Sequence, residues 1–217
     1  MAPLKKEQIK QEVFDLYDKY AHNQLDRREF MEKLSVYAVG GITMASLMSF
    51  VMPNYKDTLT VSPNDPELDS KFITYNSPKG GGDIKGLLSK QKNSIWRSNG
   101  KVGVVGFCFG GWISNMMAVR VPDLAAAVPF YGSQPADDEV AQINAPLLIH
   151  YAGLDERVNA GWEDYEAKLK ELGKDYEAHF YPDVNHGFHN NTTPRFDEAS
   201  ADLAWKRTIE FFKEHLS

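Results

Sequence analysis

The sequence is short of cysteine, of excess positive charge and of long apolar runs. Among 217 residues there is one cysteine, so no disulfide can form within the chain. Lysine and arginine number 24 against 30 aspartates and glutamates, a formal charge of −6. The cations are scattered rather than clustered, so no basic stripe faces a phosphate backbone and nucleic acid is not an expected partner. The most apolar stretch near the N-terminus, "VYAVGGITMASLMSFVM" at 36–52, is short for a membrane span and holds two glycines. No internal repeat or low-complexity tract is present. The length suits one domain with a sizeable core and a small appendage.

Residues 5–22 carry Ile9, Val13, Leu16, Tyr17 and Tyr20 at helical spacing, which predicts an amphipathic helix. Two readings of the next stretch stand side by side. Arg27-Arg28 followed by Phe30, Met31 and the apolar run resembles a twin-arginine export signal, which would imply an exported protein with transient membrane contact through residues 36–52. Equally, Asp26 is a good N-cap and Glu29 completes a capping box, which predicts an ordinary second helix and leaves a cytoplasmic location open. The expected organisation is a helical appendage or signal over 1–52, a Pro- and Asp-rich linker over 53–70, and a catalytic domain over 71–217.

From residue 71 the pattern becomes strand, turn, helix, repeated. "KFITYNSP" and "GDIKGLLSK" read as a hairpin across "KGGG". "VGVVGF" (102–107), "AAVPFY" (126–131) and "PLLIHY" (146–151) are short and nearly all apolar, which predicts strands buried on both faces. Helices are expected over 111–121, 159–173 and 197–216, the last burying Trp205, Ile209, Phe212 and Leu216, with a strand over 176–181. Strands alternating with helices predict an α/β fold with a mostly parallel sheet.

Sites on such sheets form at the carboxyl ends of the strands. Cys108, Asp155 and His186 each follow one of the predicted strands, and nucleophile, acid, histidine is the chain order of α/β-hydrolases. Gly106-Phe107-Cys108-Phe109-Gly110 has the form of a nucleophile elbow, a sharp strand-to-helix turn with glycines at Gly106 and Gly110 to avoid collision. The positive end of the following helix and a nearby histidine favour thiolate over thiol. The Phe109 amide is the expected oxyanion donor. His186 would relay the proton and Asp155 would orient the imidazole. Taken singly, a lone cysteine is most often a small buried hydrophobe, Asp155 a cap and His186 a loop residue. Trp112, Tyr131 and Phe188 are candidates for an apolar pocket wall and equally for ordinary core. His186 and His189 have no further ligands at metal spacing, so no metal site is expected.

The sequence resembles the dienelactone hydrolase (carboxymethylenebutenolidase) family, α/β-hydrolases with a cysteine nucleophile. The resemblance lies in "GKVGVVGFCFGG", "AAAVPFYGSQP", "APLLIHYAGLDERVNAGW", "YEAHFYPDVNHGFHN" and "ADLAWKRTIEFF", over residues 71–90 and 99–217. It implies an ester or lactone hydrolase in which Cys108, Asp155 and His186 form the triad, acting on a small-molecule ester with no metal or organic cofactor.

The chain departs from that family between residues 90 and 100. Only "QKNSIWRSN" stands there, where the family implies two strands, helices and a loop with a glutamate and the second oxyanion-hole amide. The shortfall is roughly eighty residues against a typical domain. Asn190 stands at the fourth position after His186, where the resemblance implies a substrate-binding arginine; Arg195 lies close by in sequence. Such a loss is expected to bare a sheet edge and an apolar face. The expectation is therefore an esterase or lactonase, impaired by the missing segment. The alternative is an inactive hydrolase remnant that acts by binding. A thiol redox switch ranks below both, since no resolving cysteine exists.

Overall fold

Three short helices precede the first described strand, and the second and third start on side-chain caps. The computed structural model describes residues 4–54, 68–76, 83–91 and 100–217. Helix α1 (Gln11–Ala21) buries Val13, Phe14 and Tyr17. A separate 3-10 turn at Lys6–Gln8 precedes it, so the helix is shorter than periodicity predicts and Ile9 lies outside it. Helix α2 (Arg27–Ser35) opens on a complete capping box: the Glu29 amide donates to Asp26 at 2.8 Å and the Asp26 amide donates to Glu29 at 3.0 Å. Arg27 and Arg28 are thus the first residues of a capped helix. Helix α3 (Met44–Val51) is capped by Thr43, whose hydroxyl accepts from the Ser46 amide. Phe30, Leu34, Leu47 and Val51 meet Val13 and Tyr17 in one apolar cluster. No helix among the described residues is long and apolar enough to cross a membrane.

Four parallel strands follow, β3 (Gly103–Phe107), β4 (Ala126–Phe130), β5 (Leu147–Ala152) and β6 (Tyr176–Tyr181), paired in the order β3-β4-β5-β6. Helix α4 (Phe109–Arg120) links β3 to β4, a 3-10 turn at Val140–Gln142 lies between β4 and β5, α5 (Glu156–Asn159) and α6 (Trp162–Glu171) lie between β5 and β6, and α7 (Glu198–Leu216) follows β6. One apolar cluster lies around α4, α6 and the β4 and β5 side chains Ala127, Leu147, Ile149 and Tyr151. Another gathers Val128, Phe130, Leu148 and Ala152 with Phe188 and α7 residue Ala204. Side chains of β4 and β5 alternate between the two clusters, as the two-residue period of a strand requires. Both strands are buried throughout.

Two expectations are corrected. The strand read at 102–107 is not buried on both faces: Val104 and Val105 are half-buried, and Val102 is 57% exposed. The reason is position, since among the described residues β3 is the sheet edge, paired with β4 on one side. Helix α7 buries Ala201, Ala204 and Thr208, while Trp205 and Ile209 stay 41% and 37% exposed. Small residues bring its backbone close to the sheet, and the bulky ones flank that contact.

A second compact unit, residues 55–99, contains β1 (Leu68–Asn76) and β2 (Asp83–Gln91). They pair antiparallel, from Leu68 opposite Gln91 to Asn76 opposite Asp83. The turn expected at 79–82, most of the linker 53–70 and the stretch 92–99 lie outside the described residues.

Candidate active site

Cys108 stands between β3 and α4 with φ 58 and ψ −117, in the left-handed half of backbone space. Few residues tolerate this without a surrounding structure that enforces it. Its amide donates to the Phe130 carbonyl at 3.1 Å, while its own carbonyl accepts from Gly111 and Trp112. A Cβ on Gly106 would lie 1.9 Å from the Gly110 carbonyl oxygen and 2.6 Å from Ser114 Oγ. Glycine there is obligatory. Gly110 differs from its expected role, because a Cβ there meets no described atom within 4 Å. As the first residue of α4, Phe109 has an N–H with no carbonyl one turn back to bond.

His186, in the loop after β6, and Asp155, after β5, come together although 31 residues separate them. His186 Nδ1 lies 2.6 Å from Asp155 Oδ2, and both side chains are buried. Asp155 Oδ1 also accepts from the Val158 amide at 3.2 Å, so the same carboxylate caps α5. With Nδ1 bound to the carboxylate, Nε2 is the nitrogen left for proton exchange. Burial opposes charge on His186, but Asp155 and Cys108 outweigh it and raise the imidazole to about 9. Burial likewise opposes the thiolate, yet His186 and His22 outweigh it and bring Cys108 down to about 6.

Three further residues belong to this cluster that the spacing of motifs did not single out. His22, at the C-terminus of α1, has Nε2 3.3 Å from Cys108 Sγ. Asp18, one turn earlier, accepts from Arg157 Nε at 2.8 Å and lies 3.9 Å from His186 Nε2. Burial raises the Asp18 carboxyl, but His186, Arg157 and His22 together hold it below the usual carboxylate range. Arg157 Nη2 in turn lies 3.3 Å from His22 Nε2. The signal was present: Phe14, Asp18 and His22 repeat every four residues, which puts two titratable groups on one helix face with a core phenylalanine.

Two clefts meet at the sulfur. One, about 290 Å³, is walled by Trp112, Tyr131 and Ser133; the other, about 440 Å³, by Phe107, Asn190 and Arg195. His22, Cys108, Tyr131 and His186 are common to both. Trp112 and Tyr131 therefore stand where a pocket wall would be. Phe188 does not: it is wholly buried, its ring 5.4 Å from that of Tyr131 in the core behind. Donor atoms of His22, Cys108 and His186 lie within 4.8 Å of one another, but the Arg157 guanidinium against His22 Nε2 opposes a cation there.

The family model described as the dienelactone hydrolase family matches residues 60–216, and a model described as YqhI-like matches residues 1–39. A protein from Escherichia coli with the provisional name carboxymethylenebutenolidase is 33% identical, over 68% of this chain and 53% of its own length. The protein called usf from Aquifex pyrophilus is 38% identical, over 78% of this chain and 76% of its own. The chain thus spans about half the length of the Escherichia coli relative. Among solved structures, a dienelactone hydrolase-like promiscuous phosphotriesterase from metagenomic libraries has a TM-score of 0.50 at 18% identity, over 58% of this chain and 57% of that one. That likeness shows the fold, an α/β-hydrolase sheet with flanking helices.

Proposed function

The chain belongs to the dienelactone hydrolase family, and from that premise we propose that it hydrolyses small lactones or enol esters. In this reading Cys108 is the nucleophile, His186 the acid and base, and Asp155 the residue that orients His186. The thiolate attacks the ester carbonyl, forming a C–S bond and sending the carbonyl electron pair onto oxygen, where the Phe109 amide donates. Collapse breaks the C–O bond, and the leaving oxygen takes the His186 proton. Water, deprotonated by His186, then attacks the thioester, breaks C–S and releases the acid.

The observation that carries the reading is the buried 2.6 Å contact of His186 with Asp155, beside a sulfur on a strained strand-to-helix turn. Trp112 and Tyr131 would wall the substrate cleft. Residues 71–217 are read as the catalytic domain, and 1–52 as a folded appendage joined to it by 53–70. Among the described residues Phe109 is the one donor accounted for, and one oxyanion donor is worth roughly 10²–10³ in turnover. Activity is therefore expected to be slow.

A second reading, an inactive remnant that acts by binding, draws on the edge position of β3 among the described residues and on Phe109, 69% exposed. Hydrolysis of an activated acyl ester by the protein and by Cys108→Ala, side by side, separates the two. A cysteine-dependent burst supports the hydrolase; identical rates support the remnant.

A further inference from the structure

Two helix ends meet at the sulfur. Cys108 is the N-cap of α4, a helix of 12 residues, and His22 is the C-cap of α1, a helix of 11. The positive end of α4 favours an anion at Cys108, and the negative end of α1 favours a cation at His22. The imidazole is oriented for this. Its Nδ1 lies 2.8 Å from the Asp18 carbonyl and 3.4 Å from Asp18 Oδ1, two acceptors and no donor, so Nδ1 carries a proton. Nε2 is then the atom that faces Cys108 Sγ at 3.3 Å. The ring stands edge to face against His186, with centroids 4.9 Å apart at 86°.

The charges around the pair oppose one another: Arg157 Nη2, 3.3 Å from His22 Nε2, disfavours a charged ring, and the anions beside it favour one. Asp18, Asp155 and a Cys108 thiolate carry three negative charges, against the two guanidiniums of Arg157 and Arg195. Arg157 is bound to Asp18 at 2.8 Å, and Arg195 Nη1 lies 3.7 Å from the same carboxylate. One further proton, on His22 or His186, brings the cluster to balance, and with both imidazoles protonated it carries one net positive charge. Tyr131, packed against His186, stays neutral because burial pushes its hydroxyl up.

We propose that His22 is a second catalytic imidazole of this site, an ion partner for the Cys108 sulfur supplied by the N-terminal helices and not by the hydrolase sheet. The proton leaves Sγ and binds Nε2, and no bond to carbon is involved. His22 holds the sulfur charged while His186, tied to Asp155, delivers protons to the leaving oxygen. The role in turnover rests on the hydrolase reading above; the ion pair itself does not.

The test exploits the single cysteine. Iodoacetamide alkylation of the full chain is followed against pH for the native protein, His22→Gln and His186→Gln, with circular dichroism to check folding. His22→Gln is expected to move the alkylation midpoint up by about one unit, so that the rate below the midpoint falls about tenfold. Histidine NMR gives the reverse measurement without altering His22: the His22 titration should move down in Cys108→Ala, where no thiolate remains. An unmoved midpoint in folded His22→Gln, or a His22 titration indifferent to Cys108→Ala, overturns the proposal. Alkylation reports on the sulfur whether or not any ester is hydrolysed, so a failed hydrolase reading leaves the outcome distinct.

Discussion

Asp155 accepts from two groups at once: Oδ2 faces His186 Nδ1 at 2.6 Å, and Oδ1 takes the Val158 amide at 3.2 Å. One carboxylate therefore orients the imidazole and caps the helix that carries Arg157. Asp155→Asn keeps a good capping residue but replaces one acceptor oxygen with a donor. Cysteine-dependent ester hydrolysis should fall by roughly 10³–10⁴ through the wrong tautomer, while the thermal midpoint changes little. A variant that loses stability and keeps its rate would assign Asp155 to the cap alone.

Against burial, His186 and His22 bring the thiol down to about 6, and Asp155 and Cys108 raise His186 to about 9. The thiolate–imidazolium form is present between these values. Below about 6 the sulfur takes a proton; above about 9 the imidazole loses one. A bell-shaped rate profile with limbs near these values is expected, each limb belonging to the coupled pair. An acid limb at the ordinary thiol value, near 9, would show that the pair does not form.

Gly106 and Gly110 flank the nucleophile symmetrically in sequence and oppositely in space. Gly106→Ala drives a methyl to 1.9 Å from a backbone oxygen, and a cost of about 3 kcal/mol or more is expected in urea unfolding. Gly110→Ala enters open space on a helix, where the change should lie within about 1 kcal/mol and favour stability. Equal effects at the two sites would contradict the turn geometry.

His150 joins a buried chain of polar groups. Arg207 donates to the Tyr181 oxygen, Tyr181 O–H faces His150 Nδ1 at 3.0 Å, His150 Nε2 lies 3.1 Å from Thr208 Oγ1, and Thr208 donates to the Ala204 carbonyl. The arrangement needs a neutral ring, and burial, aided by His179, Arg207 and His189, pushes His150 down to about 2. The unfolded chain binds a proton near 6.5 that the folded chain refuses, so this contribution to stability is lost as pH falls below 6.5. His150→Gln should reduce the slope of stability with pH, between about pH 4 and 6, by on the order of 1 kcal/mol per unit. An unchanged slope would mean that His150 protonates in the folded state.

Much of this was legible beforehand because it is local. The buried runs 126–131 and 146–151, the capping box at Asp26 and Glu29 and the elbow around Cys108 depend on neighbours within a few residues. The half-burial of β3 and the exposure of Trp205 depend instead on which strands are present beside them, and apolar residues alone cannot report that. Phe188 illustrates the same limit: aromatic character near the site made it a wall candidate, and packing against Tyr131 and Phe130 made it core.

By itself the sequence determined which runs form strands and helices, the turn that only glycine at 106 permits, and the three polar residues that follow β3, β5 and β6. Tertiary structure alone decided that a helix from residues 11–21 closes over those strand ends and sets His22, 86 residues from Cys108 in the chain, 3.3 Å from its sulfur. Strand and turn patterns arise from steric rules that act between adjacent residues. The meeting of α1 with α5 arises from charge pairing, through Asp18 and Arg157, between segments whose separation in sequence carries no distance in space.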